Sequence, residues 1–137
     1  MSDYADDSSI PDDAELWRRI RLDAISVKNQ DGREIPSSAA FDDSSDGTPM
    51  SVALATVLLS PGRLIEGQRC PCGVASFMAG QARALGLRIC RDDSGASYPG
   101  HAYVAGEKTR RARRALAKSC TWVISPEQAR GGLPPVK

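Results

Sequence analysis

Three groups of residues carry side chains able to do chemistry. The first is His101, the only histidine of the chain, which opens the alternating run Ala102-Tyr103-Val104-Ala105. An imidazole there can serve as general acid or base, or contact a phosphate, whereas its plainer role is a hydrogen-bonded, partly exposed side chain. The second is Cys70-Pro71-Cys72-Gly73, just ahead of a run with helical spacing. A thiol at a helix N-terminus loses its proton readily because free N–H groups stabilise the thiolate. With His101 close in space, Cys72 would then be a nucleophile beside its base. Asp92 and Asp93 precede His101, but no spacing marks either as the acid that orients the imidazole. Cys70, Cys72, Cys90 and His101 are also four zinc-ligand types. The Cys-x-Cys spacing is tight and the other two ligands come from separate elements, so reduced, partly buried thiols are expected, with no metal and no cofactor.

The third group is Lys108-Thr109-Arg110-Arg111-Ala112-Arg113-Arg114-Ala115-Leu116-Ala117-Lys118, six cationic side chains in eleven residues. On a helix, Thr109, Ala112, Leu116 and Ser119 share one narrow face that can lie on a sheet. Arg110, Arg111, Arg113, Arg114 and Lys118 then point to water or to a polyanion, for which the guanidinium fork is well suited. The preceding Gly106-Glu107-Lys108-Thr109 lacks the first glycine of a phosphate-binding loop and is discarded as one.

The elements that must position these groups fit one domain of 137 residues. Charge is uneven: residues 1–46 hold twelve acidic and five basic side chains, residues 47–137 five acidic and thirteen basic. The acidic half can fold back on the basic one, or the basic half can attract an external anion. No eighteen-residue apolar run exists, which excludes a membrane-spanning helix. The acidic start lacks a secretory pattern, so a cytoplasmic location is expected.

Residues 1–12 read as a disordered acidic tail and residues 13–125 as the domain. The apolar spacing predicts a helix over 14–20, and strands over 25–28 and 33–35 around the turn 29–32. A loop over 36–49 is anchored by Phe41. Residues 50–59 suit either a strand, by the alternation of Val52, Leu54, Thr56 and Leu58, or a helix, by their alanines. A buried strand is expected for the first half, and one helical turn follows Ser60-Pro61. A helix over 73–85 stops at Gly86, with strands over 87–90 and 101–105. A helix over 107–119, a strand over 122–124 and a disordered tail over 126–137 complete the chain. The class is α+β: a small, mainly antiparallel sheet with two principal helices on a core of Phe77, Met78, Leu85, Leu116 and Trp122.

The segments Leu16-Trp17-Arg18-Arg19-Ile20, Pro36-Ser37-Ser38-Ala39-Ala40-Phe41-Asp42, Met50-Ser51-Val52 and His101-Ala102-Tyr103-Val104 together resemble a group of small bacterial proteins with no assigned activity. That resemblance implies a single shared domain over residues 16 to 124 and no transferable chemistry. The early arginines ahead of Ser37-Ser38 are also faintly similar to ADP-ribosyltransferases, but no Glu-x-Glu or Gln-x-Glu pair follows. The functional expectation is a non-catalytic bacterial interaction module that presents its basic helix to a partner protein or nucleic acid. The alternative is a small enzyme or redox protein built on Cys72 and His101.

Overall fold

The arginine-rich segment Glu15–Arg21 is a strand, β1, at the centre of the sheet. The computed structural model describes residues 4–23, 26–28, 31–69, 71–92 and 98–131. β1 pairs with β4 (Met50–Leu54) on one side and with β5 (Cys72–Met78) on the other. β7 (His101–Ala105) adds to β4, β6 (Arg88–Arg91) to β7, and β8 (Thr121–Ile124) to β5. The order is β6-β7-β4-β1-β5-β8, with each neighbouring pair antiparallel. A separate ribbon joins β2 (Ser26–Lys28) to β3 (Glu34–Pro36). Four short helices, α1 (Ala55–Leu58), α2 (Ala79–Arg83), α3 (Arg110–Ser119) and α4 (Pro126–Gly131), complete a single α+β domain.

Both faces of the sheet are covered, which explains two corrections. On one face Leu16, Ile20, Val52, Phe77 and Val104 pack with Phe41 and with Leu116 of α3. On the other, Trp17, Ala53, Val74, Leu58, Leu64 and Ile124 form a second core. A strand buried on both sides shows a continuous apolar run instead of alternation. That describes β5, whereas in β1 Leu16 and Ile20 face one core and Trp17 the other, with arginines between them. Residues 14–20 and 73–78 thus imitate helical spacing yet form β1 and β5. Only the five residues of α2 remain of the longer helix expected over 73–85. Gly86, at φ 83°, ends α2 as expected, and the Leu87 amide reaches back to the Ala82 carbonyl at 3.1 Å. Phe77 and Leu116 are buried as expected, whereas Met78 is 43% exposed and Leu85 and Trp122 are half-buried.

The acidic arm is ordered where it is described. Asp6 and Asp12 pair with Arg83, and Asp7 pairs with Arg91. The Asp7 amide also donates to the Ile89 carbonyl at 2.7 Å, so the arm lies along the outer side of β6. Of the two courses open to that charge, the structure takes intramolecular neutralisation. The arm uses Arg83 and Arg91, and of the α3 arginines Arg113 alone stands within 4.0 Å of a carboxylate, Asp42, among the described residues. Phe41 anchors residues 36–49 through a buried 3-10 turn, Ser38–Phe41, capped by the Ser37 side chain. Past β8 the chain forms α4, whose Arg130 pairs with Glu34 of β3, in place of the expected tail; residues 132–137 lie outside the described residues.

Candidate functional site

β4 and β7 run side by side with Ala53 opposite His101 and Ser51 opposite Tyr103. Side chains two residues apart share a sheet face, so Ser51 and His101 are diagonal neighbours on it. Trp17 sits opposite Ala53 across β1. Arg19, two residues further along β1, therefore shares the face and end of the sheet that carry Ser51. Printed into the sequence as Met50-Ser51-Val52-Ala53-Leu54, the alternation sends Met50, Val52 and Leu54 to one face and leaves Ser51 on the other.

The His101 ring is held at both nitrogens. Nδ1 lies 2.5 Å from Asp92 Oδ2, and Nε2 lies 3.1 Å from Ser51 Oγ. Asp92 is placed by the backbone, because its amide donates to the His101 carbonyl at 3.0 Å and extends the β6–β7 ladder by one residue. The side chains of His101 and Asp92 are 6% and 9% exposed, so the pair is largely shielded from water. An ionised carboxylate only accepts, which puts the ring proton on Nδ1 and leaves the Nε2 lone pair to accept from the Ser51 hydroxyl. Tyr98 and Tyr103 meet the ring edge-on, with centroids 5.0 and 4.8 Å away. Burial first pushes the Tyr98 phenol up to about 12, and its hydroxyl donates to the Val52 carbonyl at 3.3 Å. Gly100 at φ 80° delivers the chain to His101, and a Cβ there would meet Val57 Cβ at 2.9 Å.

Ser51 and His101 open into a cleft of about 440 Å³ that is also lined by Arg18, Arg19, Arg21, Arg63, Glu66 and Tyr98. Pairing of β1 with β4 ends at Trp17 and Ala53. Beyond it, Arg18 supplies the missing donors: Nη1 to the Ser51 carbonyl at 2.8 Å and Nε to the Ala40 carbonyl at 3.0 Å. Burial, then repulsion from Arg19, brings its guanidinium down to about 10. Arg18 thus ties the serine-bearing strand to the turn below it.

The residues singled out in the sequence are not gathered in one place. His101 is in this site. Cys72 opens β5, a strand, so no helix terminus activates its thiol, and it lines a different cleft with Pro71 and Arg69. Cys90 lies on β6, and Cys70 lies outside the described residues. Among the described residues no three His, Cys, Asp or Glu side chains gather as metal ligands. Arg110, Arg111, Arg114 and Lys118 are exposed on α3, which packs through Ala112 and Leu116 on the core opposite the Ser51 face. Arg113 is half-buried, donates to the Lys108 carbonyl and stands 4.0 Å from Asp42. Lys108 is 2% exposed and paired with Asp43, so it belongs to the scaffold and not to the basic face.

Ser51 and the pairing role of Asp92 were not foreseen. Their signal is weak but real: a serine at the odd-numbered positions of an apolar strand, and an aspartate nine residues before the histidine. Among the described residues, no helix is long and apolar enough to cross a membrane. No family profile, curated protein or solved structure matches the chain.

Proposed function

We propose that the protein is a hydrolase in which Ser51 is the nucleophile, His101 the general base and acid, and Asp92 the group that orients and charges the imidazole. The observation that carries this reading is the chain of contacts Asp92–His101–Ser51, shielded on the aspartate side and open to a cleft on the serine side. Those are the roles and the order of a serine triad, a constellation recognised by geometry and not by chain order. Ser51 Oγ passes its proton to His101 Nε2 as it attacks an electrophilic carbonyl carbon. The bond to the leaving oxygen breaks, and Nε2 returns the proton to that oxygen. Water then repeats the cycle and releases the acyl group from Ser51. The Cys72 version of the enzyme reading is given up, because its activating helix is absent.

The test is labelling with a fluorophosphonate probe followed by peptide mapping. Wild type is expected to label at Ser51 and Ser51→Ala not at all. Labelling elsewhere, or none in folded protein, rejects the assignment.

A second reading keeps the basic face of α3 as a docking surface for a polyanion. It is supported by Arg110, Arg111, Arg114 and Lys118, which form no ion pair among the described residues. Anisotropy titrations with generic RNA and DNA at two salt concentrations test it: affinity that falls steeply with salt and is lost on replacing the three arginines by glutamine supports it. No binding at low salt rejects it.

A further inference from the structure

The cleft beside Ser51 is lined by four arginines and one carboxylate, Glu66, which forms no ion pair among the described residues, so positive charge is in excess there. Of its four arginines, Arg18 is occupied by carbonyls and Arg21 stands 3.3 Å from Asp23. Arg19 and Arg63 are exposed and have no carboxylate within ion-pair distance among the described residues. Among the described residues, the Arg19 side chain donates one hydrogen bond, to the Leu64 carbonyl at 3.4 Å. They come from separate elements, β1 and the 3-10 turn Pro61–Leu64, which converge on one wall. Gathering guanidinium groups around a cleft costs stability through mutual repulsion, and that cost is relieved only when an anion enters. Arg83 by contrast takes two carboxylates, and Arg91, Lys108 and Arg130 take one each, while Arg110, Arg111, Arg114 and Lys118, also without an ion pair among the described residues, lie on the exposed face of α3.

We infer that Arg19 and Arg63 bind a phosphate monoester group, so that the substrate hydrolysed at Ser51 is a small ester or acyl compound carrying a terminal phosphate. This deepens the hydrolase reading and rests on it for the reacting end of the substrate. Two open guanidinium groups match the charge of a phosphate near neutral pH, and each fork can take two of its oxygens. At about 440 Å³ the cleft has the size of a small-molecule site. Arg18 is the positioning residue between the two functions, since it carries the Ser51 carbonyl and lines the same wall.

Inorganic phosphate is the probe, titrated by calorimetry and by thermal shift into Ser51→Ala, with sodium chloride at equal ionic strength as the control and succinate as a competing dianion. Phosphate is expected to bind and to raise the melting temperature, and succinate to bind more weakly. Arg63→Gln, which removes a side chain with no hydrogen bond among the described residues, is expected to weaken phosphate roughly tenfold, and Arg19→Gln with Arg63→Gln roughly a hundredfold. In wild type, phosphate should slow labelling of Ser51. Equal binding by the double variant, or no binding beyond the chloride control, overturns the inference, and tighter binding of succinate overturns the choice of phosphate. Normal labelling of Ser51 without phosphate binding would leave the nucleophile standing alone. Phosphate binding without labelling would leave the anion site and remove the hydrolase.

Discussion

Asp92→Asn tests the relay at its deepest member. The carboxylate faces His101 Nδ1 at 2.5 Å, with both side chains nearly out of water. When Ser51 gives up its proton, the ring becomes cationic and the carboxylate stabilises it. Centres of charge about 4 Å apart at an effective dielectric of about 20 attract by about 4 kcal/mol. That energy is absent from the neutral ground state, so its loss falls on the barrier, and about 4 kcal/mol corresponds to a factor of about 10³ in rate. An asparagine can also donate to Nδ1 and move the ring proton to Nε2, where it faces the Ser51 hydroxyl and blocks transfer, which deepens the loss. The assay is the second-order rate of fluorophosphonate labelling at Ser51, for wild type and Asp92→Asn, with circular dichroism and melting curves as controls for folding. A loss near a thousandfold at unchanged secondary structure is the expected result. A folded Asp92→Asn protein that labels within threefold of wild type would refute the reasoning, because the contact would then be structural only.

Two other perturbations have calculable outcomes. Arg18→Lys replaces a fork spanning the Ala40 and Ser51 carbonyls by a point donor that reaches one of them; a loss of about 1–3 kcal/mol in urea unfolding is expected, together with slower Ser51 labelling. At Glu34, the hydrogen bond from Arg130, aided by the one from Ser26, holds the carboxyl down to about 2 from an ordinary 4.5. This contribution is present above pH 4.5 and is lost as pH falls toward 2. Arg130 is exposed, so Arg130→Gln should lower stability only slightly at neutral pH, and the gap from wild type should close between those two pH values in acid-denaturation curves.

The α+β class was legible because several strands carry local signals of their own. His101–Ala105 alternates around tyrosine and glycine boundaries and is read to its exact ends. Residues 50–59 suit both a strand and a helix, and the structure uses both, β4 over Met50–Leu54 and α1 over Ala55–Leu58. β1 and β5 are not legible as strands: β5 is apolar on both faces, and in β1 Leu16 and Ile20 face one core and Trp17 the other, so neither shows the polar alternation that separates period 2 from period 3.6. The helix expected over 73–85 placed Cys72 at a helix terminus it does not occupy, which removes the ground for an activated thiol there. His101 was identified, but its partners depend on register: Ser51 lies fifty residues away and meets it only through the pairing of Ala53 with His101. The outward set of α3 arginines needed only a helix and its period, and the exposure of Arg110, Arg111, Arg114 and Lys118 agrees with it.

The arm along β6 bears on how the molecule tolerates handling at that end. β6 is the terminal strand of the sheet, and Ile89 spends its outward amide and carbonyl on Asp6 and Asp7. The same arm brings the Tyr4 ring onto Tyr103, which abuts His101. Clipping the residues ahead of Pro11 would bare a hydrogen-bonding rim able to recruit strands from neighbouring molecules, and would loosen the aromatic brace of the imidazole in the same cut. Solubility and reactivity are therefore coupled at one end of the polypeptide.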